Sequence, residues 1–127
     1  MYCIVLKLLY ICLVIKIKII MNAENIQMQM RKGVLEYCIL SVIAKNKSYA
    51  SDIINSLKEA KLLVVEGTLY PLLTRLKNEG VLKYSWEESK TGPPRKYYEL
   101  TPEGETILTE MNKTWHELAF AVQSITK

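Results

Sequence analysis

Half of the 127 residues are hydrophobic, enough for one domain with a modest core and too many for a disordered tail. The net charge of +4 is unevenly placed: Lys7, Lys16 and Lys18 fall in the first 20 residues, and without them the body carries 14 basic against 13 acidic residues. Any anion-binding surface on residues 21–127 must therefore come from segregation of charge rather than excess.

The cysteines (Cys3, Cys12 and Cys38) form neither a CxxC pair nor a metal-ligand spacing, and their odd number points to a reducing compartment. Cys38 lies in an apolar run and reads as a small core residue. His116 is the single histidine. A zinc site or a Ser/His/Asp triad needs more than this, so no metal, no cofactor and no enzymatic activity is expected.

The first segment, "MYCIVLKLLYICLVIKIKII", is apolar apart from its three lysines, and composition shifts abruptly at "MNAENIQMQM". Three readings compete for this hydrophobic extension, residues 1–20. A membrane span has the right length, but Lys7 inside it would cost about 2.5–3.5 kcal/mol. A signal peptide would begin with its basic residues and end at a small-residue cleavage site, neither of which is present. The third reading, which is favoured, takes Met21 as the working start and the preceding residues as upstream sequence.

The body begins with "RKGVLEYCILSVIAKNKS". Its apolar residues at 34, 35, 38, 39, 42 and 43 predict a first helix ending near Asn46. "YASDIINSLKEA" predicts a second, short helix with Ile53, Ile54 and Leu57 inward and Ser51 or Asp52 capping its start. "EGTLYPLLTRLKNEG" predicts a third, burying Leu69, Leu72, Leu73 and Leu76 and stopping at Gly80. Pro71 is expected in or near its first turn. Thr68, Tyr70, Thr74, Arg75 and Lys77 lie on the opposite face.

After Gly80 the period becomes two. "VLKYSWEE" alternates Leu82, Tyr84 and Trp86 with Lys83, Ser85 and Glu87, "RKYYELT" supplies a partner strand, and "SKTGPP" connects them. One of Tyr97 and Tyr98 should pack inward. Thr101 then reads as an N-cap with Pro102 at the first helical position, opening a last helix. Leu108, Met111, Trp115, Leu118, Val122 and Ile125 recur at spacings of three and four, a seam that pairs with another helix. With no second long helix to receive it, a symmetric dimer is the economical reading, the short stripe also packing on the first helix of the body.

Three helices, a hairpin and a final helix describe a mainly α fold with a small β-hairpin. It is a winged helix-turn-helix over residues 21–101 followed by a C-terminal dimerisation helix over 102–127. In that architecture the third helix enters the DNA major groove and the hairpin is the wing. A stiff Gly-Pro-Pro turn carrying Lys90, Arg95 and Lys96 would reach flanking phosphates with little entropy lost. Arg75 and Lys77 are equally open to being ordinary solvated charges. Glu87 and Glu88 offer a bland alternative for the wing cations, cross-strand pairing worth little at the surface.

"EGTLYPLLTRLKNEGVLK", "GPPRKYYELTPEG" and "MRKGVLEYCILSVIA" together resemble the PadR family of transcriptional regulators, over about residues 28–120. The single short C-terminal helix is similar to the small subgroup that includes multidrug-sensing repressors. The resemblance implies a cytoplasmic homodimer that represses from a palindromic operator in double-stranded DNA and lets go on binding a small planar aromatic molecule. By the same resemblance, Thr68, Tyr70 and Pro71 belong to the recognition motif and Arg95 and Lys96 to the wing motif. Lys32 begins the first helix of the body and faces phosphate, and Tyr49 is a further DNA-proximal position. Val65 departs from the small polar residue usual before this motif, which weakens the helix cap. Trp115 reads either as a packing anchor or as a stacking platform for the ligand, with Ala119 leaving space beside the ring and Tyr37 and Met30 lining the same cavity. His116 is expected to face solvent. A different class of function stays open: winged helices also serve as protein-docking modules, including a membrane-tethered form here.

Overall fold

The computed structural model describes residues 2–89 and 92–127. The elements run α1 (Tyr2–Lys32), α2 (Leu35–Lys45), α3 (Ala50–Glu59), α4 (Glu66–Asn78), β1 (Leu82–Ser89), β2 (Gly92–Leu100) and α5 (Pro102–Thr126). The chain divides into two compact units, Met1–Leu35 and Glu36–Lys127.

In the first unit α1 runs through the apolar segment and on past the change of composition at residue 21. Tyr2, Leu6, Leu9, Leu13 and Ile17 are all exposed. Among the described residues no helix is long and apolar enough to cross a membrane. Helix α1 stops at Lys32, and the Val34 N–H closes a turn on the Arg31 carbonyl at 3.0 Å. The single helix expected from residue 31 is thus two helices broken at Gly33, the poorest helix former after proline. Lys32 closes α1 instead of opening the next helix.

In the second unit α2 turns Ile39, Leu40 and Ile43 into the core, with Cys38 and Val42 half-buried beside them. The buried stripe starts later than the apolar pattern suggested because the helix begins only at Leu35. Tyr49 is the N-cap of α3, and Asp52 Oδ2 accepts its N–H at 3.1 Å. Ala50, Ile53 and Leu57 are buried.

Both α3 and α4 end in Schellman turns. After α4, the Val81 N–H reaches the Leu76 carbonyl at 2.9 Å and the Gly80 N–H reaches Lys77 at 3.1 Å, with Gly80 at φ 81°. After α3, Leu62 reaches back to Leu57 at 2.8 Å and Lys61 to Lys58 at 2.9 Å. There Lys61 stands in the left-handed region, at φ 62°.

Helix α4 buries Leu69, Leu73 and Leu76 and leaves Leu72 half-buried. Val65 is its N-cap and makes no side-chain cap, having no oxygen to offer. Pro71 lies inside the helix as its sixth residue, near the first turn but not in it. Having no N–H, it cannot donate to the Gly67 carbonyl one turn back, and both residues are exposed to solvent.

The two strands pair antiparallel from Leu82↔Leu100 through Tyr84↔Tyr98 and Trp86↔Lys96 to Ser89↔Gly92, with an irregularity between Glu87 and Ser89. Pro93 and Pro94 lie within β2, not in the connection. Each strand of a two-stranded ribbon is an edge, so prolines are tolerated where no ladder bond is needed. Ser48 adds a third edge, exchanging backbone bonds of 3.0 and 2.9 Å with Tyr98. Strand β1 packs on α4, and β2 on α3 and α5. Thr101 caps α5 as expected: its hydroxyl accepts the Gly104 N–H at 3.0 Å and donates to the Gly80 carbonyl at 2.5 Å.

Candidate nucleic-acid interface

Burial of Leu69, Leu73 and Leu76 fixes the roll of α4, and the opposite face follows. Thr68, Tyr70, Pro71, Thr74 and Lys77 are exposed, as the periodicity required. Between this face, the start of α3 and the wing runs a groove of about 490 Å³, lined in part by Tyr49, Tyr70, Thr74, Trp86, Arg95 and Lys96.

The two wing cations belong to opposite faces of the ribbon, because side chains alternate along a strand. Lys96 shares its face with Tyr84, Trp86 and the buried Tyr98. Its Nζ lies 4.5 Å from the Tyr84 ring centre and 5.2 Å from that of Trp86. Arg95 shares the other face with Tyr97 and Glu87, and its guanidinium carbon lies 5.2 Å from the Tyr49 ring centre. Aromatic faces, not a proline turn, hold these cations, each contact contributing about 0.5–1 kcal/mol at an exposed site. Lys90 lies outside the described residues.

Glu87 stands opposite Arg95 but forms an ion pair with Lys47. That hydrogen bond raises the Lys47 pKa above its ordinary value. Beside it Tyr49 and Tyr97 stack with ring centres 3.6 Å apart and a tilt of 35°. The hydrogen bond with Tyr49 pushes the Tyr97 phenol up to about 12.

The basic residues of α4 are differently placed. Arg75 is held by Glu36 of α2 and, at 3.2 Å, by Glu79 one turn on. This ion-pair network ties α4 to α2. Lys77 leans toward the wing, 5.7 Å from the Tyr84 ring centre. Lys32 and Met30 belong to the first unit, where both are exposed.

An exposed helix face flanked by a hairpin with two held cations is the geometry of a winged-helix DNA reader, and comparison with known proteins decides its kind. The model of the transcriptional regulator PadR-like family matches residues 39–110. The chain belongs to the PadR-like family of transcriptional regulators. The transcriptional regulator Rv3488 of Mycobacterium tuberculosis is 32% identical over 91 residues, covering 72% of this chain and 84% of that protein. A solved PadR-like transcription factor from Bacteroides fragilis is 60% identical with a TM-score of 0.67, over 80% of this chain and 99% of that one. A PadR-like transcriptional regulator from Bacillus cereus is 35% identical with a TM-score of 0.71, over 78% and 97%.

The PadR-like match reaches into the first turns of α5. Leu108, inside the match, and Met111, just past it, are half-buried, but further along the helix Trp115, Leu118, Val122 and Ile125 are exposed, Trp115 at 39% and Ile125 at 82%. Phe120 is exposed too, off the expected stripe. His116 faces solvent as expected. The Tyr37 hydroxyl donates to Asn112 Oδ1, one turn before Trp115, so α2 does meet α5.

Three features of this PadR-like surface were not read from the sequence. Trp86, set by alternation on the face of Leu82 and Tyr84, is 61% exposed. The Ser48 bridge is a single residue and carries no periodicity. The Lys47–Glu87 pair joins positions 40 residues apart, with no local signal.

Proposed function

We propose that the chain is a dimeric, ligand-responsive DNA-binding repressor. Helix α4 enters the major groove, and Arg95 and Lys96 take phosphates on either side of it. The observation that carries this reading is the single groove shared by Tyr70 and Thr74 of α4 with both wing cations. On a body of almost no net charge, two cations held there by aromatic rings are the segregation that phosphate binding needs.

Dimerisation is supported by the apolar residues of α5 from Trp115 onward, which the single chain leaves uncovered. A second α5 would cover them and bring two Trp115 rings to one interface. Those rings form the platform for a planar aromatic ligand, with Tyr37 as a neighbour through its bond to Asn112. Binding there alters the separation of the two α4 helices and relieves repression. The working address of such a regulator is the cytoplasm.

The test is fluorescence anisotropy of the chain on DNA from upstream of its own gene, over a salt series. Competitor-resistant binding with a steep salt slope is expected, with release by a planar aromatic dye. Weak binding, equal on unrelated DNA, would favour a protein-docking role for the same surface.

A further inference from the structure

We propose that α4 reads thymine methyl groups through Thr68, Pro71 and Thr74, so that each half-site is centred on A·T pairs. This rests on the DNA-binding reading above and specifies what the helix recognises.

The inference comes from which α4 side chains are left available. Bidentate recognition of guanine calls for Arg or Lys. Arg75 is held by Glu36 and Glu79, and Lys77 leans toward the Tyr84 ring. The polar groups that remain, Glu66 and Asn78, stand at the first and last positions of the helix, about 18 Å apart. Apart from those two cations and the Tyr70 ring, the exposed surface between them is methyl, methylene and hydroxyl. Thr68, Pro71 and Thr74 follow one another at three-residue spacing and so share a stripe, with Tyr70 beside it. Pro71 offers only ring methylenes and has no N–H to donate. In the major groove the one apolar group on any base edge is the thymine C5 methyl. An apolar stripe therefore discriminates A·T from G·C by covering that methyl, while the wing supplies charge.

The discriminating experiment removes the methyl alone. A preferred duplex is selected from a random library with the full chain, and each thymine is replaced in turn by deoxyuridine. Covering one methyl corresponds to about fourfold in affinity. At least two positions per half-site are expected to weaken by about this factor. Thr74→Ser, which keeps the hydroxyl and deletes the methyl, should erase the thymine–uracil difference at one of them. Equal affinity for the thymine and uracil duplexes overturns the inference and leaves the DNA-binding reading intact. So does an undiminished difference in Thr68→Ser, Pro71→Ala and Thr74→Ser alike. Failure to select any preferred sequence overturns both.

Discussion

Gly104 of α5 meets Val81 backbone to backbone: a Cβ on Gly104 would lie 2.2 Å from the Val81 carbonyl oxygen. That oxygen also accepts the Thr101 N–H at 3.1 Å, so the α5 cap and the entry to β1 are joined at one atom. Gly104→Ala must push the first turn of α5 off the hairpin, at a cost of roughly 1–3 kcal/mol. Urea unfolding should show a lower midpoint at unchanged slope.

The opposite effect is expected at Lys61, a non-glycine residue in the left-handed conformation at the end of α3. Lys61→Gly relieves the Cβ clash, offset by the greater freedom of glycine in the unfolded chain. A net gain of about 0.5–1 kcal/mol is expected, read as a higher thermal midpoint. No gain would mean that the lysine methylenes make packing contacts that offset the backbone cost.

Tyr97 gives a pH signature. Its phenol, ordinarily near 10.0, is raised to about 12 by the hydrogen bond with Tyr49. Below the ordinary value both folded and unfolded chains hold the proton. Across the interval up to the raised value only the unfolded chain ionises, so the stabilisation declines there as pH increases. Ultraviolet titration of the folded protein should find one tyrosine ionising last, and Tyr49→Phe should bring it back toward its ordinary range.

The wing and helix cations should separate in a salt titration of DNA binding. Arg95→Ala and Lys96→Ala should each lower the slope by about one. Arg75→Ala should leave the slope unchanged, since its guanidinium already serves Glu36 and Glu79, and should cost stability of at most about 1 kcal/mol. A slope that falls with Arg75 but not with Arg95 would reverse the roles.

At the other end of the molecule, Leu118→Asp places a carboxylate in the middle of the bare α5 face. Loss of roughly 2 kcal/mol of apolar burial corresponds to about thirtyfold weaker self-association. Sedimentation equilibrium should show a dimer for the parent chain and a shift toward monomer for the variant.

The repeating features of the fold were legible in the sequence. The leucines of α4, the Thr101–Pro102 start of α5, the Gly80 stop and the two-residue period of β1 each leave a local chemical mark, and each element stands where that mark placed it. Tertiary contacts settled the remainder. The Gly-Pro-Pro run reads as a turn on composition, yet a ribbon with two edges accepts it as strand. Arg75 and Arg95 look alike in sequence, but one faces two carboxylates and the other an aromatic ring. Gly33 carried the information that breaks α1 from α2, outweighed by the apolar residues that follow it.

Helix α2 also has a mechanical meaning. Near its beginning, Tyr37 is fastened to α5 at Asn112, and just past its end Ser48 is clipped to Tyr98 in the wing. Eleven residues separate these attachments, about 16 Å of mostly helical backbone. A rod pinned at both ends transmits displacement along its length. A tilt of α5 relative to the body is expected to reach the wing along α2 as well as through the direct packing of α5 on β2.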